Sequence, residues 1–276
     1  GSTWTGSGMN DLETQQFLFD LQGYLVIEGV LSGTEVAALV EGIAAQQLDL
    51  PAGVARFGGA AGNAGDVPGF LAWGDPFCTL LDHEAIMPVL RCRLGDCFRL
   101  ERVYGLHAAA GSRGHSLHAD YGANAPHAEA RSGDFFPHRD HLSLNGFVVV
   151  AWSLADAGPG LGGFSCIPGS HKSNFKVPQA ILDDPSNASC VVVPPVPAGS
   201  VILFSEALVH ATAPWCAEHE RWSLLYKYCV SSLTWSNQRV QPPENTTLSV
   251  RQQKLFHDPG DPHRFFPSLF EKESSP

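Results

Sequence analysis

The sequence has 276 residues, 44% of them hydrophobic, and carries a formal net charge of −11. This length and apolar content predict one globular domain with a large core and exclude an intrinsically disordered chain. The acidic balance without a basic tract disfavours nucleic acid as a partner, and the absence of a long apolar run disfavours a membrane partner.

The N-terminal third predicts helices around one strand. Ser32, with Glu35 three residues later, matches the capping box that begins a helix. Apolar residues at Val36, Leu39 and Ile43 then recur with helical period. Around this helix we predict a helix over 11–20, a strand over 23–31, a loop rich in Gly, Ala and Pro over 51–69, and a helix over 82–94.

From residue 96 onward the pattern changes to short strands separated by turns. The predicted strands cover 98–104, 146–154, 164–167, 190–193, 200–204, 208–213 and 221–230, and a late helix is expected within 241–254. Helices followed by a succession of short strands are typical of a double-stranded β-helix, or jelly roll, with helices packed on one sheet. We therefore predict a mainly β fold with flanking helices.

The predicted organisation is a single domain over residues 9–276. It consists of a helical part over about 9–95, a jelly-roll core over about 96–231 and a C-terminal extension over about 232–276. Residues 1–8 are expected to be a cloning remnant, with Met9 as the native start.

Seven cysteines are scattered along the sequence. The odd number and the lack of close repeating pairs favour reduced thiols over a disulfide framework. We therefore expect the cytoplasm or another reducing intracellular compartment.

The triplet His118-Ala119-Asp120 and the later His210 form a candidate metal site. Two histidines and one carboxylate hold Fe(II) in non-haem oxygenases and leave other coordination positions open. Residues two apart on an extended strand project to the same side, so His118 and Asp120 can meet one ion. A His-x-Asp triplet also arises by chance in a chain with 12 histidines, so this pattern alone leaves the site open.

The order of motifs resembles the phytanoyl-CoA dioxygenase family of Fe(II)/2-oxoglutarate oxygenases. The most specific motif, Ile167-Pro168-Gly169-Ser170-His171-Lys172, is a turn between strands in that family, so His171 is expected to be a hydrogen-bonding turn residue. The other motifs are the strand 23–27, His118-Ala119-Asp120, the strand 150–156, the segment 197–204, His210 and Arg221-Trp222-Ser223.

The resemblance implies an enzyme that uses Fe(II), 2-oxoglutarate and O₂ to oxidise a small molecule, with release of succinate and CO₂. His118, Asp120 and His210 would be the catalytic metal ligands. The far carboxylate of 2-oxoglutarate would be bound by Arg221 and Ser223, which point the same way because they are two apart on one strand. A surface ion pair with Glu218 or Glu220 is the alternative for Arg221.

Weaker cosubstrate contacts are expected from Trp152 and Asn145, with core packing as an equal alternative for the tryptophan. Family members that halogenate have a small residue in place of the carboxylate ligand. Asp120 therefore favours hydroxylation, or a related oxidation such as desaturation.

The chain departs from the family between residues 121 and 144, a polar segment before the strand that carries Trp152. This segment contains a rival triplet, His138-Arg139-Asp140, which we disfavour because Pro137 indicates a loop. We expect the segment to form a lid over the metal site, and a plain surface insertion is the alternative. The candidate substrate contacts on it are Tyr121, His127, His138 and Arg139.

Two other functions remain open from the sequence. One is a cupin-type metal enzyme that does not use 2-oxoglutarate, and the other is a non-catalytic ligand-binding protein with the same fold. The prime substrate and the oligomeric state cannot be determined from the sequence.

Overall fold

The computed structural model describes residues 11–59, 68–122, 124–125, 138–139, 142–143, 145–173, 175–261, 264, 266 and 268–271, with backbone only at 138–139 and 142–143. No helix in this described part combines the length and apolarity that crossing a membrane requires. The predicted fold, a jelly roll with flanking helices, is confirmed by the two antiparallel sheets and the helices described below.

Six α-helices lie in the described chain, and most precede the sheets. They are α1 (Leu12–Gln22), α2 (Gly33–Ala44), α3 (Asp75–Thr79), α4 (Met87–Leu94), α5 (Gln179–Asp183) and α6 (Val250–Lys254). The helix α2 begins with the predicted capping box, since the Ser32 side chain accepts from the Glu35 backbone and the Glu35 side chain accepts from the Ser32 backbone. The preceding helix α1 ends at Gly23, whose φ of 84° lies in the left-handed region that glycine tolerates.

The major sheet has six antiparallel strands in the order β1-β8-β6-β10-β3-β2. These strands are β1 (Tyr24–Ile27), β2 (Val54–Phe57), β3 (Phe98–Ala108), β6 (Phe147–Ser153), β8 (Val201–Ser205) and β10 (Arg221–Val230). The long strand β10 lies between β6 and β3, so its side chains reach both the helices on one face and the interior of the jelly roll on the other.

The minor sheet pairs β7 (Gly163–Cys166) with β9 (His210–Ala213). Isolated bridges extend it on both sides, from His118 to His210 and from Val192 to Cys166. A separate pair of two-residue strands, β4 (His138–Arg139) and β5 (Leu142–Ser143), lies within the segment 121–144.

The two faces of the major sheet contact different parts of the molecule. One face packs against the helices and contains Trp152, Leu224 and Tyr226. Tyr226 anchors the helical layer, because its hydroxyl donates to the Phe77 carbonyl at 2.6 Å. The opposite face packs towards the minor sheet and contains residues such as Ala151, which alternates with Trp152 along β6.

The helix predicted over 82–94 begins only at Met87. Three other sequence predictions also differ from the structure. The segment 51–69 is not all loop, because β2 pairs with the edge of β3 and a 3₁₀ turn covers Gly69–Trp73. The predicted strand over 190–193 is reduced to the bridge at Val192. The strand predicted over 23–31 ends at Ile27. In each case, pairing with a distant strand decided where regular structure forms, which local residue preference cannot determine.

Candidate metal and cosubstrate site

His118, Asp120 and His210 lie together between the two sheets. The segment after β3 passes beside β9, where His118 and His210 exchange two backbone hydrogen bonds of 3.0 and 2.8 Å. This pairing brings the two imidazole rings to a centroid distance of 4.6 Å. Each of the three residues offers one ligand atom, and these atoms all lie within 4.8 Å of one another, close enough to hold one metal ion.

Backbone carbonyls orient both imidazole rings. His118 Nδ1 lies 2.9 Å from the Ser116 carbonyl, and His210 Nδ1 lies 2.8 Å from the Leu208 carbonyl. An Nδ1–H that donates to a carbonyl leaves the lone pair on Nε2 free for a metal. Burial lowers the pKa of His210 to about 4, so this imidazole is neutral at neutral pH and can bind a cation.

The carboxylate of Asp120 is shared between the histidines and a lysine. Asp120 Oδ2 accepts a hydrogen bond of 2.6 Å from Lys227 Nζ, while Oδ1 lies 4.0 Å from His118 Nε2. Burial alone would raise the pKa of Asp120, but Lys227, His210 and His118 together lower it to about 2. The group is therefore ionised at neutral pH, with one oxygen towards the histidines.

Lys227 is a site residue that the sequence analysis missed. It lies on β10 at the cavity, six residues after Arg221, and its ammonium group is surrounded by the rings of Tyr104, Phe147 and Trp235 at 5.7, 5.6 and 5.2 Å. The period of two along a strand, counted from Arg221 through Ser223, could have identified it. Its contact with Asp120 could not have been read from the sequence, because the two are 107 residues apart.

We expect Lys227→Met to destabilise the metal-free protein. The Lys227 and Asp120 side chains are only 10% and 13% exposed, and removing one partner of a buried ion pair costs roughly 3–5 kcal/mol. A divalent metal should compensate the remaining carboxylate, so the metal-induced rise in Tm should be larger in the variant than in the parent. Thermal unfolding with and without metal measures both effects.

Lys172→Met is the matched control. Lys172 Nζ lies 2.7 Å from Asp20 Oδ2, which is close to the distance in the Lys227 pair, but the two side chains are more exposed, at 26% and 49%. Such a surface pair contributes about 0–1 kcal/mol. Equal loss of Tm in both variants would contradict a special role for the Lys227 pair.

Arg221 and Ser223 provide a second set of polar groups in the same cavity. Both residues are buried on β10, and neither Nε nor Nη1 of Arg221 nor Oγ of Ser223 has a hydrogen-bond partner. Burial lowers the pKa of Arg221 to about 10, which still leaves the guanidinium charged at neutral pH. A buried cation without a partner is costly, so these atoms are suited to an anionic ligand.

The surface-pair alternative for Arg221 is wrong. Arg221 is only 5% exposed, and no carboxylate of the described residues lies within 4.0 Å of it. Glu220 instead points to His107, whose Nε2 lies 3.4 Å away.

A single cavity of about 650 Å³, including its open mouth, joins these two sets of groups. Its walls come from both sheets and combine polar side chains with apolar ones, among them Phe164, Ile202, Phe204 and Leu225. A concave cavity in which apolar walls surround convergent polar groups is the usual form of a small-molecule site.

Trp152 and Asn145 do not line this cavity. Trp152 is fully buried on the helix-covered face of the sheet, where its ring lies 5.3 Å from that of His83, so the core-packing alternative is the one observed. Asn145 Nδ2 donates to Ser205 Oγ at 3.2 Å and to Glu206 Oε2 at 2.9 Å. The residue pattern of β6 could not predict which of its side chains face the cavity, because all seven residues of this strand are buried.

The turn role predicted for His171 is confirmed. His171 lies in a 3₁₀ turn, and its Nε2 is 3.0 Å from the Asp20 carbonyl, which ties the turn to α1.

The residues of the segment 121–144 are placed only in part. The Tyr121 backbone donates to the Glu206 carbonyl at 2.9 Å, and its ring lies 6.5 Å from that of Trp235. His127 and Asp140 lie outside the described residues, and His138 and Arg139 are described by backbone alone. The lid, its substrate contacts and the disfavoured rival triplet therefore stay predictions.

Three solved structures illustrate the similarity of the fold. HygX from Streptomyces hygroscopicus, crystallised with nickel and 2-oxoglutarate, is 24% identical, with a TM-score of 0.65 over 80% of this chain and 89% of that one. EctD from S. alaskensis with bound Fe is 20% identical, with a TM-score of 0.56 over 88% and 83%. The carbocyclase SnoK from nogalamycin biosynthesis is 18% identical, with a TM-score of 0.58 over 89% and 92%.

No curated protein matches the sequence significantly. The family model described as phytanoyl-CoA dioxygenase (PhyH) does match, over residues 19–222, which include the whole His118, Asp120 and His210 cluster and Arg221. Since this match covers most of the chain, and the fold agrees with it, the protein belongs to the phytanoyl-CoA dioxygenase family.

Proposed function

We propose that this protein is an Fe(II)- and 2-oxoglutarate-dependent oxygenase that oxidises a C–H bond of a small molecule and releases succinate and CO₂. The observation that carries the proposal is the pair formed by Arg221 and Ser223. Their unpaired polar atoms are buried in the same cavity as a cluster of two histidines and one carboxylate.

The donor set of the cluster suits Fe(II). Two imidazole nitrogens and one carboxylate oxygen are the facial ligands of non-haem iron oxygenases. Because Lys227 holds Asp120 Oδ2, the other oxygen, Oδ1, remains on the side of His118 and would be the atom that holds the metal. When bound there, Fe(II) together with 2-oxoglutarate and O₂ supplies the oxidising chemistry.

The protein's own groups bind and orient the reactants. Arg221 offers a planar fork that fits a carboxylate through two hydrogen bonds, and Ser223 adds a third donor beside it. The apolar walls around Phe164 and Leu225 exclude water from the reacting end of the cosubstrate. Arg221 and Ser223 are therefore binding residues, and the three ligand residues are catalytic.

Hydroxylation is the outcome that we propose within this class. It is supported by Asp120, because family members that halogenate have a small residue in place of this carboxylate and bind a halide there. Proteins with this fold also include a carbocyclase and an epimerase, so identification of the product by mass spectrometry is part of the test.

The two alternative functions are less well supported. A cupin-type enzyme without 2-oxoglutarate has no use for the unpaired groups of Arg221 and Ser223. A non-catalytic binding protein has no use for a cluster in which the two histidines are oriented by carbonyls and the carboxylate by a lysine.

We also infer that the protein works in a reducing intracellular compartment. All seven cysteines are free thiols, and Cys78, Cys166 and Cys229 are buried. Free thiols are typical of reducing compartments.

Iron-dependent succinate formation tests the proposed function. The purified protein supplied with Fe(II), ascorbate and 2-oxoglutarate should form succinate slowly without prime substrate, and faster with a suitable one. Omission of iron should stop the reaction. An iron-loaded protein that forms no succinate with any compound of a broad panel would refute the proposal.

A further inference from the structure

The cavity is more positively charged than the proposed reaction requires. Among its described lining residues, Asp120 is the single carboxylate, whereas Arg56, Arg221 and Lys227 are cationic. This excess is notable because the whole chain carries a net charge of −11. Among the described residues, acidic side chains are thus largely kept away from the cavity.

Two arginines flank one tyrosine ring on the cavity side of the major sheet. The Arg56 guanidinium carbon lies 4.9 Å from the centroid of the Tyr104 ring, and that of Arg102 lies 5.4 Å from it. Tyr104 and Arg56 line the cavity, whereas Arg102 does not line it and lies beside it, against the Tyr104 ring. Arg102 is two residues away from Tyr104 on β3 and is paired in register with Lys227, so its side chain leaves the sheet on the cavity side.

Neither arginine has an acidic partner among the described residues. Arg56 is exposed on the edge strand β2, and the buried Nε of Arg102 has no hydrogen-bond partner. Away from the cavity, arginines do pair with acids, as in Arg91–Asp96 and Arg251–Asp82. Contacts with an aromatic face fix the position of a guanidinium and leave its N–H donors available.

The charges of the iron site do not account for these two arginines. Fe(II), Arg221 and Lys227 together carry one more positive charge than Asp120 and doubly charged 2-oxoglutarate carry negative charge. Arg56 and Arg102 add to this excess. A positively charged cleft with low-dielectric walls attracts anionic ligands and raises their local concentration.

We propose that the prime substrate carries an anionic group, such as a carboxylate, phosphate or sulfate, which Arg56 and Arg102 bind beside the Tyr104 ring. This inference rests on the proposed function, because it assigns Arg221 and Lys227 to the cosubstrate and to the metal ligand. The substrate then enters along the edge of the major sheet, where β2 ends the sheet, and places its neutral part towards the iron site.

The competing assignment is that Arg56 binds 2-oxoglutarate itself. Arg56 lies in register with Leu106, and Leu106 with Ser223, so two strand spacings separate Arg56 from Ser223. That is roughly 10 Å between backbones, at about 4.8 Å for each pair of neighbouring strands. This separation favours a second ligand, and measuring 2-oxoglutarate affinity in the variants distinguishes the two assignments.

The experiment uses protein loaded with Ni(II) and 2-oxoglutarate, a combination that was crystallised in HygX. Phenyl phosphate, phenyl sulfate and benzoate are the anionic probes, and benzyl alcohol is the neutral probe of similar shape. Isothermal titration calorimetry should give at least one anion a dissociation constant ten-fold or more below that of benzyl alcohol. The preferred probe then identifies the anionic group among the three.

Arg56→Gln and Arg102→Gln should each weaken binding of the preferred anion by about ten-fold, the scale of one charge-assisted hydrogen bond. Affinity for benzyl alcohol, Ni(II) and 2-oxoglutarate should stay unchanged. Arg264→Gln is the matched control, because Arg264 is 77% exposed beside Asp261 and does not line the cavity. This control should bind every probe as the parent does.

The inference is overturned if benzyl alcohol binds as tightly as the anions, if no anion binds at millimolar concentration, or if both variants keep the parent affinity for the anion. Weaker 2-oxoglutarate binding in Arg56→Gln would assign that residue to the cosubstrate and also overturn it. Failure of the proposed function gives a different result. The parent would then bind no Ni(II) or 2-oxoglutarate, while anion titrations of the metal-free protein still report on the two arginines.

Discussion

Replacing His118, Asp120 or His210 singly with alanine is expected to abolish iron-dependent succinate formation. The ligand atoms of the three residues lie within 4.8 Å of one another, so each supplies one corner of a three-point site. Loss of a hydrogen-bond partner behind a ligand weakens metal binding by roughly 10–100-fold, and loss of a ligand itself should cost more. Iron content after purification, measured by elemental analysis, should fall to background.

His138→Ala and Asp140→Ala are the controls for the metal site, since they change the rival triplet. Both variants should keep the iron content of the parent. Loss of iron in His138→Ala together with retention in His118→Ala would show that the rival triplet binds the metal. Circular dichroism of each variant separates loss of the site from loss of the fold.

Arg221→Lys is expected to raise the 2-oxoglutarate concentration needed for half-maximal succinate formation, by an amount that corresponds to roughly 1–3 kcal/mol. Lysine keeps the charge but lacks the planar fork of arginine. The substitution therefore removes Nε and Nη1 of Arg221, the two buried atoms that have no hydrogen-bond partner. Iron binding should persist, because Arg221 is not one of the three ligand residues. The metal-free protein should not be destabilised, because no existing hydrogen bond of these atoms is removed.

Ser223→Ala should have a smaller effect of the same kind, about 0.5–1.5 kcal/mol for a neutral hydrogen bond. Ser153→Ala is its matched control, because Ser153 lies opposite Ser223 on β6 but its hydroxyl already donates to the Ala155 carbonyl. If Arg221→Lys needed the same 2-oxoglutarate concentration as the parent for half-maximal succinate formation, Arg221 would not be a cosubstrate-binding residue.

Local sequence determined much of this protein. Ser32 and Glu35 formed the capping box that their spacing predicts, because a cap depends only on residues three apart. Arg221 and Ser223 are two residues apart, and both side chains line the cavity from one face of β10, because side-chain direction has a period of two along a strand. His118 and Asp120 could be chosen as partners for the same reason.

Only the tertiary structure decided which side chains face the cavity where both faces of a strand are buried. The run 147–153 is buried throughout, so its pattern does not distinguish inward Ala151 from outward Trp152. The tertiary structure likewise brings Lys227 into contact with Asp120. It also pairs residues 54–57 of the Gly-rich segment with β3, and they form the edge strand that carries Arg56. These contacts join residues far apart in the chain, and no local period encodes which distant strands become neighbours.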